Sequence, residues 1–377
     1  MNNKIRLLTI FGTRPEASKM CPVVLEPQSN PAIESILCVT AQHRQMLDQV
    51  LDAFQVTPDF DLNLMEPDQS LAQISASILR NLDPVLKNVQ PDWVLVQGDT
   101  TTVMATSILC YYNRIKIGHV EAGLRTGDKW QPFPEEINRK IAGVIADLHL
   151  APTEHSRQNL LHEGIENRRI VVTGNPAIDA LRIIIAHPEP LEVKSFLNEN
   201  DIHEHGKQLI LVTAHRRENF GKPLEDICAA IKFLAIKYKD QYHFLYPVHL
   251  NPHVQETVYN LLGNISNISL VPPLDYLPMA HLMKHARLVL TDSGGIQEEA
   301  SGLRKPTLVL REVTERPEGV ASGVLRLVGT DPQRIITNTI ELLEDEQAYQ
   351  KMSRAINPFG DGYASQKIIR AVLDYQE

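Results

Sequence analysis

The sequence predicts an α/β protein with two domains, each built around a parallel sheet with helices on both faces. Short apolar segments alternate with longer amphipathic ones, as in sheets whose strands are buried on both faces. This alternation begins again after the Pro-broken segment His187–Pro190, and the 377-residue chain is longer than one typical domain. We therefore expect two Rossmann-like domains whose sheets face a cleft, because ligands of such sheets bind beyond the carboxyl ends of the strands.

The first domain is predicted over residues 1–174. Its segments follow the order strand, helix, strand, helix that builds a parallel sheet. The predicted strands are Ile5–Phe11, Ser35–Thr40, Trp93–Val96, Lys116–Val120 and Ile170–Thr173. The predicted helices are Pro15–Leu25, Met46–Phe54, Thr101–Tyr112 and Pro134–Ala146.

The second domain is predicted over residues 175–357, beginning within the turn Gly174-Asn175-Pro176. Its predicted strands, with helices between them, are Leu209–Thr213, His243–Pro247, Ile268–Val271, Leu288–Thr291 and Thr307–Leu310. A last helix is predicted from Gly362 to Tyr375, within residues 358–377. The sequence leaves open whether this helix packs back on the first domain.

Composition and charge narrow the class of function. Hydrophobic residues make up 43% of the chain, which is enough for sizeable cores. Lys and Arg number 37 against 46 Asp and Glu, so the net charge is −9 and no basic segment predicts a nucleic-acid partner. No apolar run approaches the roughly 18 residues of a membrane span, and the N-terminal apolar run is too short for a signal peptide. Because the four cysteines also lack a CxxC spacing, we predict a cytoplasmic protein with reduced thiols and no membrane partner.

The turn after the first strand has the features of an anion site. Gly12 and Thr13 lead into a helix that carries Arg14 and Lys19 in its first turns. Main-chain amides, the helix dipole and two cations would then point to the same place. The segment lacks the GxGxxG fingerprint of dinucleotide-binding folds. The alternative is a capped helix with solvated charges.

A second polar cluster follows a strand in the second domain. Ser293, Gly294 and Gly295 allow the main chain to approach a pyrophosphate at the start of the next helix. Glu299, further along that helix, could accept hydrogen bonds from ribose hydroxyls. The alternative is a tight turn between strand and helix.

Carboxylates form a third cluster, in the first domain. Asp99 and Glu121 each come just after a strand, and Glu135 starts a helix with Arg139 four residues later on the same face. Acids that converge at one site raise one another's pKa values, as proton transfer at carbon requires. Helix capping is the alternative for Asp99 and Glu135.

His215 ends the first strand of the second domain and is followed by Arg216 and Arg217. Two neighbouring cations disfavour a metal ion at this histidine, so contact with a phosphate or a sugar hydroxyl is the better interpretation. The sequence predicts no metal site.

Together these segments resemble the non-hydrolysing UDP-N-acetylglucosamine 2-epimerases. The resemblance runs in family order along the whole chain, through FGTRPEASKM, VTAQHRQMLDQVL, QGDTTTV, GHVEAGLRTGD, PFPEEINR, VTAHRREN, YPVHLNP, LTDSGGIQEEA, TERPEGV and NPFGDG. It implies the GT-B arrangement with a UDP-sugar between the domains, a homodimer and no cofactor. It also implies interconversion of UDP-GlcNAc and UDP-ManNAc through 2-acetamidoglucal, which would supply ManNAc for a bacterial surface polysaccharide.

The resemblance also implies roles for individual residues. Asp99, Glu121 and Glu135 would be the acid and base candidates, and His215 would support the departure of UDP. The positions that match UDP-binding residues are Arg14, Ser293, Gly294, Gly295, Glu299 and Arg316, and Lys19 and Arg139 would line the same site. The resemblance does not resolve which acid serves which face of the sugar.

Some relatives of this kind bind a second, activating UDP-GlcNAc. Gln42, Gln45 and Arg217 match residues of that allosteric site, whereas Asp68 stands where regulated members carry Arg. An anion there would weaken contact with a diphosphate, so allosteric activation stays open. Three other functions also stay open: a hydrolysing 2-epimerase that releases ManNAc and UDP, a GT-B glycosyltransferase, and a non-catalytic UDP-sugar sensor.

Overall fold

The computed structural model describes residues 4–41, 44–64, 69–203 and 205–376. Two sheets organise the chain, and each belongs to a separate unit: Met1–Ile183 with Gly360–Glu377 form unit 1, and Ile184–Phe359 form unit 2. The sequence predicts domain boundaries after residues 174 and 357. In unit 1, buried Asp179 accepts hydrogen bonds from the amides of Ala364 and Ser365, at 3.0 and 2.8 Å, and so ties the segment after residue 174 to the last helix.

The sheet of unit 1 has seven strands in the order β3-β2-β1-β4-β5-β6-β7, and all its neighbouring pairs are parallel. The strands are β1 (Ile5–Phe11), β2 (Ile33–Val39), β3 (Phe60–Asp61), β4 (Trp93–Gln97), β5 (Lys116–Val120), β6 (Leu148–Ala151) and β7 (Ile170–Val172). The helices are α1 (Arg14–Leu25), α2 (Arg44–Phe54), α3 (Leu71–Val89), α4 (Thr101–Asn113), α5 (Glu135–Ile145) and α6 (Glu154–His162). Helix α7 (Pro176–Ala186) begins in unit 1 and ends in the first residues of unit 2.

The sheet of unit 2 has six parallel strands in the order β10-β9-β8-β11-β12-β13. The strands are β8 (Gln208–Thr213), β9 (Tyr242–Pro247), β10 (Ile268–Val271), β11 (Ala286–Thr291), β12 (Thr307–Val309) and β13 (Leu325–Leu327). The helices of this unit are α8 (Leu191–Glu199), α9 (Lys222–Lys237), α10 (Pro252–Leu262), α11 (Tyr276–His285), α12 (Gly294–Gly302), α13 (Pro317–Ser322), α14 (Pro332–Glu344) and α15 (Glu346–Ser353). The last helix, α16 (Ala364–Leu373), packs on α1 in unit 1.

Two parallel sheets with helices confirm the predicted α/β class. The central strands are buried along nearly their whole length, which is why they appear in the sequence as continuous apolar runs. Sequence analysis did not predict β3, β6 and β13, which have two to four residues each. It also missed α3, which contains Pro84. A strand this short carries no periodicity, and an internal proline normally argues against a helix.

The order of the strands creates one switch point in each sheet. In unit 1 the chain winds outward in opposite directions from β1 and β4, and in unit 2 it does so from β8 and β11. Crevices at the carboxyl edge of α/β sheets open at such points. The four strands are followed by the segments that contain Arg14, Asp99, His215 and Ser293, which places the predicted site residues at the switch points.

Two further findings concern the chain as a whole. The four cysteines are free and buried, and burial raises the pKa of Cys21, Cys38 and Cys228 to about 12. Within the described residues, no helix combines the length and the apolar character needed to cross a membrane.

Candidate active site

Glu16 holds together the two turns at the switch point of unit 1. Its Oε2 accepts hydrogen bonds from the amides of Gly12 and Thr13, at 3.1 and 2.8 Å, while Thr13 caps helix α1. Its Oε1 accepts a 2.8 Å hydrogen bond from the hydroxyl of Thr100, which follows β4. Burial raises the pKa of Glu16, and the hydrogen bonds from Thr13 and Thr100 oppose that shift. We infer that Glu16 is a positioning residue for both turns.

The turn after β1 is shaped for close approach. A Cβ atom at Gly12 would lie 2.0 Å from Oγ1 of Thr40, so a larger residue does not fit. Arg14 opens helix α1 with a partly exposed side chain, and no ion pair to it is found among the described residues. These features suit the anion contact that the sequence predicts here.

Asp99 lies in a charged cluster at the end of β4. The Arg139 guanidinium forms an ion pair with its carboxylate, and Nδ2 of Asn138 donates to its main-chain oxygen at 3.0 Å. Burial raises the pKa of Asp99, the Arg139 charge lowers it, and the charges of Glu121 and Glu135 raise it. The charges of Glu121 and Glu135 thus both act on the carboxylate of Asp99.

Glu121 is the most constrained of the three acids. Nζ of Lys19 lies 2.7 and 2.8 Å from its two carboxylate oxygens, and Gln97 also donates to Oε2. The main chain of Glu121 is left-handed, with φ +62°, a conformation that few residues other than glycine adopt. Helix α1 and strands β4 and β5 therefore meet at this carboxylate.

His119, two residues before Glu121, supports the same turn. Its Nε2 lies 2.7 Å from the carbonyl oxygen of Gly98. Burial lowers the pKa of His119 to about 4, so the ring is neutral near pH 7. A neutral ring that bonds a carbonyl oxygen through Nε2 must carry its proton there.

Arg139 forms an ion pair along α5 with Glu136. The sequence placed Glu135 on the same helix face as Arg139, and in the structure Arg139 contacts Oε2 of Glu136 at 3.2 Å. Glu136 is fully buried and also accepts hydrogen bonds from the amides of Thr126 and Gly127, at 3.2 and 3.3 Å. Glu135 is only partly buried. Arg139 pairs with the carboxylate three positions before it because Glu136 faces the protein interior together with Arg139.

Asp292 organises the switch point of unit 2. Its Oδ2 accepts hydrogen bonds from the amides of His215 and Arg216, both at 2.8 Å, and from Nδ2 of Asn219 at 3.0 Å. Its Oδ1 lies 3.6 Å from Nδ1 of His215. This fully buried carboxylate joins the turn after β8 to the turn after β11.

The imidazole of His215 stacks on that of His249, with ring centroids 5.3 Å apart and planes 10° from parallel. Burial lowers the pKa of His215, and His249 and Arg216 act in the same direction against the Asp292 charge. The ring is therefore neutral near pH 7 and can donate or accept one hydrogen bond at a ligand.

The predicted nucleotide cluster comes together at the start of α12. A Cβ atom at Gly294 would lie 2.8 Å from Nη1 of Arg316, so the guanidinium rests directly on the main chain there. Nε of Arg316 donates to Glu298 at 2.8 Å, and Nη1 donates to Glu315 at 3.1 Å. Ser293 precedes the helix, Gly295 faces open space, and Glu299 is partly buried on its second turn.

The predicted allosteric residues are described only in part. Gln42 and Asp68 lie outside the described residues, and Gln45 falls within α2. Arg217 is exposed at the start of the short 3-10 helix Arg217–Asn219. Across the described ranges, no group of three or more His, Cys, Asp or Glu side chains is placed to hold a metal ion.

Comparison with known proteins identifies the family. The family model for UDP-N-acetylglucosamine 2-epimerase matches residues 26–373. The chain belongs to this epimerase family. The curated UDP-N-acetylglucosamine 2-epimerase of Salmonella typhimurium is 52% identical over a 380-residue alignment that covers 99% of each chain. That of Escherichia coli K12 is 52% identical over 371 residues and 98% of each chain.

Solved structures of epimerase family members agree with this assignment. The UDP-GlcNAc 2-epimerase from Neisseria meningitidis, bound to UDP-GlcNAc, is 46% identical with a TM-score of 0.90, over 98% of this chain and 100% of that one. The enzyme from Methanocaldococcus jannaschii, in complex with UDP-GlcNAc and UDP, is 32% identical with a TM-score of 0.80, over 98% and 99% of the two chains. The family resemblance predicted from the sequence is confirmed.

Four buried side chains of this epimerase contact the candidate site residues or the turns that carry them, and sequence analysis did not identify them. They are Glu16, Gln97, Glu136 and Asp292. The role of Glu16 could have been predicted from the sequence, because Thr13 and Glu16 have the spacing of a capping box. The role of Asp292 has no such local signal, since its partners lie more than 70 residues away.

Proposed function

We propose that this epimerase interconverts UDP-GlcNAc and UDP-ManNAc at C2 without net hydrolysis. The observation that carries the proposal is the group of three acids around Asp99, coupled in charge and flanked by Lys19 and Arg139. Epimerisation at a carbon atom needs a base on one face and an acid on the other, and such a group can supply both. The UDP-GlcNAc and UDP in two related structures support this choice of substrate.

In the proposed reaction, a carboxylate removes the proton from C2 while the bond between C1 and the diphosphate oxygen breaks. The bonding pair from C2–H forms the C1–C2 double bond of 2-acetamidoglucal, and UDP carries away the electrons of the C1–O bond. Delivery of a proton to the other face of C2, with return of UDP to C1, completes the inversion. Asp99, Glu121 and Glu135 are the proposed proton donors and acceptors.

Departure of UDP places negative charge on its diphosphate. Arg14, Arg316 and the amides that begin α12 are proposed to stabilise this charge. Ser293, Gly294, Gly295 and Glu299 complete the nucleotide contacts in this proposal. Neutral His215 is proposed to donate a hydrogen bond to the leaving group, in an orientation that the Asp292-bound turn maintains. Use of the product in a surface polysaccharide and a cytoplasmic location remain predictions.

Incubation with UDP-GlcNAc in D2O tests this function. We expect UDP-ManNAc that carries deuterium at C2, because the proton returned to the sugar comes from a group that exchanges with solvent. NMR of the sugar nucleotides measures both product and label. Free ManNAc as the main product would instead indicate a hydrolysing enzyme, and turnover only with an added acceptor would indicate a glycosyltransferase. Binding without exchange at C2 would indicate a sensor.

We also propose that the protein forms a homodimer through helices α4 and α5. Neighbouring ends of these two packed helices expose Tyr111, Tyr112 and Val144, at 67, 72 and 80% of their surface. Ile137, two turns before Val144 on the same face of α5, is 40% exposed. Large exposed apolar side chains on two packed helices are typical of an interface between subunits.

Val144→Asp is expected to shift the protein from dimer to monomer, because a charge among the apolar side chains of the proposed interface would be buried without a partner. Light scattering after size-exclusion chromatography gives the mass. Leu191→Asp is the matched control, since Leu191 is 81% exposed in unit 2, and it should leave the mass unchanged. A monomeric parent protein would refute the dimer.

A further inference from the structure

Unit 2 contains a pocket of about 360 Å³ that the proposed reaction does not use. It lies at the amino ends of β8 and β11, where Gln208, Arg287 and Lys305 line it. The candidate nucleotide residues follow the carboxyl ends of these same strands. Each strand has six residues and so spans about 20 Å. The pocket is therefore separate from the predicted nucleotide-binding edge of the sheet.

Three cations and no carboxylate are found among the described residues that line the pocket. The cations are Lys207, Arg287 and Lys305. Three nearby carboxylates that do not line it have partners of their own: Glu346 pairs with Nη2 of Arg287 at 2.5 Å, and Glu189 and Asp201 lie 2.5 and 2.7 Å from the rings of His285 and His203. Within the described parts of the chain, no carboxylate pairs with Lys207 or Lys305.

Lys305 lies in an unfavourable place for a lone cation. Its side chain is partly buried, and burial lowers its pKa, with Arg287 and Lys284 acting in the same direction. An ammonium group near other cations is stabilised when an anion binds beside it. A ligand with negative charge would therefore gain more binding free energy from Lys305 than from an exposed lysine.

Arg287 supplies a second kind of charged donor in the same pocket. Its guanidinium lies over the ring of Tyr349, with Cζ 3.4 Å from the ring centroid, and both residues line the pocket. A guanidinium and an ammonium group lining one pocket offer charged donors to the oxygens of a tetrahedral oxyanion.

We propose that this pocket binds a doubly charged phosphate group through Lys305, Lys207 and Arg287. The phosphate is either free or the monoester of a small metabolite, because the pocket volume leaves room for a short organic group beside Tyr349. Binding here is independent of the proposed epimerisation.

Calorimetric titration with inorganic phosphate and with glycerol 1-phosphate tests the site, with saturating UDP present to occupy the nucleotide site. Lys305→Met should weaken binding about tenfold or more, as expected for loss of a charged hydrogen-bond donor. Lys284→Met is the matched control, since it removes the same charge from an exposed neighbour that does not line the pocket. We expect its affinity to stay within about twofold of the parent protein.

Thermal unfolding separates binding from misfolding. Phosphate should raise the Tm of the parent protein but not that of Lys305→Met, and without phosphate the variant should be at least as stable as the parent. Tighter binding of glycerol 1-phosphate than of phosphate would identify a metabolite as the ligand, and equal binding would identify free phosphate. Absence of binding, or equal weakening in Lys305→Met and Lys284→Met, would overturn the proposal.

Discussion

Asp99→Asn is expected to lower kcat for epimerisation by about a thousandfold, within the range of about 10²–10⁴ that general acid–base groups contribute. Asparagine has nearly the same shape and still offers an oxygen to Arg139, but it cannot exchange a proton with C2. The initial rate of UDP-ManNAc formation and the rate of deuterium incorporation at C2 should fall together. Affinity for UDP should change little, because Asp99 is not among the proposed nucleotide contacts.

Asp52→Asn is the control, since Asp52 is exposed on α2 in the same unit. Near-normal turnover in Asp99→Asn would remove Asp99 from the chemistry. The pH–rate profile of the parent enzyme offers a second measurement. Because burial raises the pKa of Asp99, the profile should contain an ionisation above the usual aspartate value of 3.8.

Arg316→Ala is expected to weaken UDP binding about a hundredfold, measured by calorimetry. The guanidinium lies against the main chain at Gly294, where the diphosphate is proposed to bind, and charged hydrogen bonds contribute about 1.5–3 kcal/mol each. The variant should also be less stable, because Glu298, only 2% exposed, loses the 2.8 Å contact to Arg316 Nε. Breaking a buried pair in this way costs about 3–5 kcal/mol.

Two controls separate binding from stability. Glu298→Gln loosens the same ion pair but keeps the guanidinium, so it should retain most of the UDP affinity. Arg334→Ala removes an exposed arginine from α14 and should change neither UDP affinity nor stability appreciably. Unchanged UDP affinity in Arg316→Ala would count against the proposed contact.

One physical reason explains why the parallel sheets and the position of the candidate residues could be predicted from the sequence. Strands buried on both faces leave continuous apolar runs, so the polar residues directly after them, such as Asp99 and Ser293, mark the carboxyl edges. The hydrogen-bond partners of the residues at those edges could not be predicted from the sequence. Asp292 reaches the turn after β8 only because β11 lies beside β8 in the sheet, and local patterns do not encode that order.

The ion pair of Arg139 with Glu136 shows the same limit on α5. Spacings of three and four residues both bring carboxylates near Arg139, and a sequence offers no reason to prefer one. Packing of α5 decides it, because Glu136 is buried beneath the turn at Thr126 while Glu135 stays partly exposed. Likewise the neutrality of His119 depends on its burial, which only the fold defines.

The divided unit 1 has a consequence for protein synthesis. A ribosome that has translated the chain as far as Phe359 has delivered all of unit 2, although unit 1 began to emerge first. Helix α1 must wait for α16, which packs on it, and Asp179 must wait for two amides at the start of that helix. The domain made first is thus completed last, and during that interval its uncovered surface is open to chaperones.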